Sequence, residues 1–185
     1  MVPTKGSVHV YWMLAYENLE KPPGTMYAME WRYGVPETRE RLVFQALQDK
    51  ECTHIFFLDD DVIPPANALT ELLKHDLPIV SGIYFNSLKS GVSAWVGDKT
   101  IALEQPTRLV GVDKAALGCC LIKREVFEKL ERPWFMFRIE ENLVESEDFY
   151  FFDRVKKAQI PLYVDMVVKC GHIRVWQIDA EGKLA

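Results

Sequence analysis

The segment His54-Ile55-Phe56-Phe57-Leu58-Asp59-Asp60-Asp61-Val62-Ile63-Pro64-Pro65 constrains this chain more than any other. Its apolar run, 55–58, has the length and composition of a buried strand. Three carboxylates end the run, two prolines stop the extended backbone, and a helix is expected from Ala66 onward. Acids crowded at the end of a buried strand repel one another, which raises their pKa values unless a cation sits among them. Hard divalent cations with oxygen ligands relieve that repulsion, and open α/β sheets bind ligands beyond the carboxyl ends of their strands. The pattern reads as a metal site first and a solvated acidic turn second.

The 185 residues suit one domain with its own core. At 49% hydrophobic and 26% charged residues, the composition is that of globular rather than disordered material. A net charge of -5 works against non-specific attraction to nucleic acid, so no nucleic-acid partner is expected. Cys52, Cys119, Cys120 and Cys170 follow no disulfide-framework spacing. Residues 1–10 lack the basic and apolar regions of a signal peptide, and no apolar run approaches the roughly 20 residues of a membrane span. These features predict a reduced, cytoplasmic protein.

Residues 8–14, β-branched and aromatic, are expected to form a first, central strand. His9 within it reads as structural sooner than as a ligand. The stretch 15–36 is irregular, and its aromatics Tyr16, Tyr27, Trp31 and Tyr33 suit a cleft wall or a loop folded onto the core. A helix opens near Pro36, with Leu42, Val43, Ala46 and Leu47 on one face. Arg39 and Arg41 in its first turns oppose the helix dipole. A bound anion such as a diphosphate would compensate them; pairing with Glu37 and Glu40 on a solvated face is the plainer account. Leu69, Leu72 and Leu73 mark the next helix, and 79–85 the next strand. Strand–helix alternation implies parallel pairing in a doubly wound α/β sheet.

The segment 86–107 reads as a hairpin or loop containing Trp95, which suits sugar stacking and loop anchoring equally. Strand 119–123 and a short helix, 124–130, follow. Adjacent Cys119 and Cys120 point to opposite faces, which argues against a shared zinc with Cys170 and His172. Ser146 is a natural N-cap, with Glu147 and Asp148 in the first turn of a helix whose buried face is aromatic. A strand follows at 160–165, then Cys170-Gly171-His172, where the glycine permits a bend that presents His172.

Taken together, these pieces resemble a small GT-A-fold glycosyltransferase of the family-two, nucleotide-sugar type. T-H-I-F-F-L-D-D-D-V-I-P-P resembles the strand ending in the D-x-D motif. P-I-V-S-G-I-Y-F resembles the strand after the next helix. G-C-C-L-I-K-R-E-V-F-E-K-L with P-W-F resembles the segment before the acceptor site. S-E-D-F-Y-F-F-D-R-V-K-K-A-Q-I-P-L-Y-V-D followed by C-G-H-I resembles the E-D helix and the terminal metal-binding histidine. The order and spacing of these pieces, over residues 8–175, carry more weight than any one of them.

The resemblance implies a single GT-A (Rossmann-like) domain over 1–185, with a mostly parallel central sheet flanked by helices. Its nucleotide-sugar half spans about 1–85, its acceptor half about 86–175, and a tail 176–185. The expected activity is metal-dependent, inverting transfer of a sugar from a nucleotide-diphosphate sugar to an acceptor hydroxyl. Asp59, Asp61 and His172 are expected at the metal, with Asp59 and Asp60 beside the nucleotide and Arg39 on its diphosphate. Asp148 is the expected general base, with Glu147 supporting it. Trp95 and Trp134 are candidates for acceptor contact. The cofactor is Mn²⁺ or Mg²⁺, with one imidazole leaning toward manganese. A glycan, a lipid-linked or a small-molecule acceptor is expected, with peripheral membrane contact open. The family usually has glycine where Gln159 stands, in the turn from helix to strand.

Two other readings compete. A nucleotidyltransferase would carry a glycine-rich phosphate loop near the first strand, and residues 8–34 show none. A non-catalytic nucleotide-sugar or glycan-binding module would have no use for a base.

Overall fold

The computed structural model describes residues 1–85, 91–140 and 143–174. The tail read at 176–185 lies outside the described residues, as does 86–90 of the hairpin or loop segment. The first half comprises β1 (Val2–Pro3), α1 (Val10–Asn18), β2 (Met29–Glu30), α2 (Val35–Gln48), β3 (His54–Leu58), β4 (Val62–Ile63), α3 (Ala68–Leu73) and β5 (Ile79–Ile83). Next come β6 (Ala94–Val96), β7 (Lys99–Thr100), β8 (Leu109–Gly111), β9 (Lys114–Ala115), β10 (Cys119–Lys123) and α4 (Arg124–Lys129). The chain continues through β11 (Arg138–Glu140), β12 (Leu143–Glu145), α5 (Glu147–Lys157), β13 (Leu162–Lys169) and β14 (Gly171–His172).

The central sheet has five strands in the order β3-β10-β5-β13-β8. It is mixed, not mostly parallel. β10 is antiparallel to both β3 and β5, β13 is parallel to β5, and β8 is antiparallel to β13. β3 and β5 run in the same sense, as strand–helix–strand alternation predicts, but β10 has entered between them. Hydrophobic periodicity reports which residues are buried and says nothing about which strand lies alongside.

Strand alternation splits the core into two layers. On one face Ile55, Phe57, Cys120 and Ile122 pack against Val43 of α2, Phe127 of α4 and Phe151, Phe152 and Val155 of α5. On the other, Leu58, Val80, Cys119 and Leu121 pack against Trp12 of α1 and Ala68, Leu69 and Leu72 of α3. Cys119 and Cys120 thus face opposite layers, and all four cysteines are free thiols.

The expected first strand at 8–14 is a helix. His9 caps it: its Nδ1 accepts from the Tyr11 N–H at 3.2 Å, and its carbonyl accepts from the Met13 N–H at 3.0 Å. A short apolar run has no period of its own to choose helix over strand. Packing chose here, because one buried anchor, Trp12, holds the element while Val10, Tyr11, Met13 and Leu14 stay exposed. Gln159 adopts φ 55 in the turn from α5 to β13, where the family resemblance expects glycine. Among the described residues no helix is long and apolar enough to cross a membrane.

Candidate functional site

The site lies at the carboxyl end of β3. The Asp59 N–H donates to the Gly118 carbonyl at 3.0 Å, which pins the strand end against the start of β10. The Trp12 indole N–H donates to the Asp59 carbonyl at 2.7 Å. The Val62 N–H closes a turn onto the same carbonyl at 3.1 Å, so three consecutive acids leave in different directions. Asp59 points to α2 and α5, and Asp61 to β14. Asp60 turns back and accepts from the Lys5 N–H at 3.3 Å.

β4 pairs antiparallel with β14, which sets His172 opposite Val62. The Ile173 N–H donates to the Asp61 carbonyl at 2.7 Å, and His172 Nε2 stands 3.2 Å from Asp61 Oδ2. Gly171 of β14 pairs with Ile63, and a Cβ there would meet the Ile63 Cβ at an ordinary van der Waals distance of 3.4 Å. His172 Nδ1 lies 2.7 Å from the Phe85 carbonyl, so Nδ1 carries the proton and donates. In the neutral ring Nε2 is then a lone pair aimed at a carboxylate oxygen, an arrangement that a proton on Nε2 or a cation between them relieves. Burial pulls the imidazole pKa down, but Asp61 and the Phe85 carbonyl outweigh it and raise it. Burial likewise opposes ionisation of Asp61, while His172 and Arg174 bring its pKa below the usual range. The pair fits a hard divalent cation as well as a proton, since ligand atoms about 2.1 Å from such an ion at right angles lie about 3 Å apart. The Nδ1–carbonyl bond is the outer-shell contact that fixes a ligating tautomer. Tyr84 stands edge-on to the ring at 5.0 Å.

Among the described residues, no three His, Cys, Asp or Glu side chains converge as a metal cluster. The expected trio is divided: Asp61 and His172 meet, while both Asp59 oxygens are held by Arg39 Nη2, at 2.9 and 3.1 Å.

Arg39 is the largest departure from the expected surface pairing with Glu37 and Glu40. It is 2% exposed. Its Nε donates to Glu147 at 3.4 Å, its Nη2 stands 3.8 Å from Asp148 Oδ1, and the Phe57 ring lies under it at 5.0 Å. Glu40 instead accepts from the Trp134 N–H and from the Phe135 N–H at 2.9 Å. Arg41 lies over the Tyr33 ring, with Glu30 at 3.8 Å. An arginine one turn into an amphipathic helix reads as solvated because its partners lie 20 and more than 100 residues away in sequence.

Ser146 caps α5, accepting from the Phe149 N–H, and so sets Glu147 and Asp148 in the first turn. Asp148 Oδ2 accepts from the Leu117 N–H at 3.1 Å, while the buried Oδ1 has no hydrogen-bond partner. Burial pushes the Asp148 carboxyl up to about 8; Arg39 opposes this, and Glu147 and Asp59 add to it by like-charge repulsion. Burial also raises Asp59, against the pull of Arg39.

Trp95 is half-buried and meets Phe149 edge-on at 4.9 Å, next in sequence to Asp148. Trp134, the other candidate for acceptor contact, lies in the core. It is 4% exposed, meets the Phe127 ring edge-on at 5.7 Å, and its indole N–H donates to the Phe127 and Leu130 carbonyls at 3.0 and 2.9 Å. Sequence reasoning missed Trp12, Tyr84 and the backbone groups of Phe85 and Leu117. The backbone groups leave no mark in side-chain pattern, and Trp12 reaches across 47 residues.

No protein-family model matches the chain, and no curated protein matches it significantly. Solved structures do. A197 from STIV superposes with a TM-score of 0.70 at 26% identity, over 99% of this chain and 90% of that one. GalNAc-T7, crystallised with UDP, GalNAc and Mn²⁺, superposes with a TM-score of 0.53 at 17% identity, over 80% of this chain. The match spans 32% of GalNAc-T7. The likeness to GalNAc-T7 is one of fold, GT-A-like, and extends to the fold alone.

Proposed function

We propose that this chain is a metal-dependent, inverting glycosyltransferase that moves a sugar from a nucleotide-diphosphate sugar to an acceptor hydroxyl. One observation carries the reading. At the carboxyl edge of a GT-A-like sheet, an Asp61–His172 pair suited to a divalent cation stands apart from a buried carboxylate, Asp148, poised near neutral pH. Cleaving a sugar–phosphate bond builds negative charge on the leaving diphosphate, and Mn²⁺ or Mg²⁺, when bound, would supply Lewis-acid neutralisation of it. Asp61 and His172 would hold that ion. Asp148 accepts the proton of the attacking hydroxyl, and a pKa near the working pH is what a general base needs. Attack from the face opposite the diphosphate inverts the anomeric carbon. Glu147, held by Arg39, supports the base by like-charge proximity. Asp59 and Asp60 border the donor, and Trp95, braced on Phe149, is the aromatic available to an acceptor. The acceptor is a glycan, a lipid-linked acceptor or a small molecule.

The test is calorimetric titration of UDP and of GDP with Mn²⁺, repeated with EDTA and with Asp61→Ala. Micromolar binding of one nucleotide, lost on chelation and in the variant, is expected. If neither nucleotide binds with any metal, the donor assignment fails. A non-catalytic binding module would bind equally but turn over no donor.

A further inference from the structure

Resting on the transferase reading, we propose that Arg39 is a positioning residue that couples donor binding to the base. Its guanidinium is the only cationic group that the cluster Asp59, Glu147 and Asp148 holds among the described ion pairs, and it is shared unequally. Nη2 gives its hydrogen bonds to Asp59, at 2.9 and 3.1 Å. The same nitrogen stands 3.8 Å from Asp148 Oδ1, too far for a hydrogen bond. Among the five buried side-chain atoms of the described residues that lack a hydrogen-bond partner, two belong to this cluster: Arg39 Nη1 and Asp148 Oδ1. The unpaired acceptor, Asp148 Oδ1, lies 3.8 Å from a guanidinium nitrogen now given to Asp59, so a small shift of Nη2 from Asp59 to Oδ1 satisfies it.

The geometry fixes the direction of that movement. Glu147 holds Nε and the Phe57 ring lies against the guanidinium, so the group can swing about its Nε end without leaving the cluster. Asp59 is 23% exposed on the donor side, and Arg39 is sealed in. When Asp59 turns outward to a bound donor, Nη2 loses its partner and closes the gap of under an ångström to Asp148 Oδ1. Oδ1 then gains a charge-assisted bond, which leaves Oδ2, still on the Leu117 N–H, as the proton-accepting oxygen. Catalytic hydrogen bonds that are long before substrate binds commonly tighten in the complex. Arg39 therefore touches neither diphosphate nor metal, contrary to its expected role.

The test pairs Arg39→Gln and Arg39→Lys with a measurement on the unmodified chain. With UDP or GDP and Mn²⁺, Arg39→Gln is expected to keep nucleotide affinity within about threefold. Its kcat for hydrolysis of the matching nucleotide-hexose, with water as acceptor, is expected to fall about 100-fold, and lysine to recover about a tenth or more of it. In the unmodified chain, Mg²⁺ with the same nucleotide shifts the Arg39 guanidinium ¹⁵N resonances, and Asp59→Asn abolishes the shift. A tenfold loss of nucleotide affinity in Arg39→Gln with kcat preserved overturns the proposal in favour of a diphosphate contact. A nucleotide that binds while the Arg39 resonances stay still also overturns it, and this measurement decides if the glutamine variant does not fold. Failure of both nucleotides to bind removes the transferase reading and this inference with it.

Discussion

Asp148→Asn is the change that most directly probes the site. The carboxyl titrates near 8 in the folded chain, against an ordinary value of 3.8. At pH 7 the unfolded chain is ionised here and the folded chain is not. About three pH units at about 1.4 kcal/mol each is about 4 kcal/mol of stability that a neutral side chain of the same shape does not lose. Asparagine keeps an oxygen for the Leu117 N–H but turns an amide N–H toward Arg39 Nη2, so the net gain is about 2–4 kcal/mol. For a chain of this size that raises Tm by about 5–15 °C. The sign follows from linkage: a folded pKa above the unfolded one gives stability that is full below pH 4 and lost as pH rises toward 8. The variant's advantage should therefore be small at pH 4.5, large at pH 7 and level off above 8. Thermal melts at these three values, in EDTA and without nucleotide, measure it. Donor turnover should fall at least about 100-fold in the same variant. A Tm difference that does not change with pH would refute the argument, because Asp148 would then be ionised in both states.

Gln159→Gly should raise stability by about 0.5–1 kcal/mol by urea unfolding, because φ 55 is strained for a side chain and free for glycine, less the entropy glycine costs. Trp134→Phe should lose about 1–3 kcal/mol through its two indole hydrogen bonds and lost volume, with turnover per folded molecule unchanged. Gly82→Ala should cost about 1–3 kcal/mol, since the new methyl would sit 2.9 Å from the Val168 carbonyl oxygen; a melt unchanged from the parent would show that β13 yields.

What the sequence by itself determined is local. The apolar run of β3, the buried strands β5 and β10, the proline-opened α2 and the Ser146-capped α5 follow from period, capping and backbone chemistry acting within a few residues. The acids at the end of β3, His172 and the E-D pair stood out as candidates for the same reason. The tertiary structure decided everything that needed a distant neighbour. It inserted β10 between β3 and β5, made 10–18 a helix by burying Trp12 under the Asp59 carbonyl, and sent Trp134 into the core. It also took Arg39 from an apparent surface pair to the centre of three carboxylates. A charged side chain is buried only where opposite charges already wait, and those charges came from β3 and α5, whose meeting no local pattern encodes.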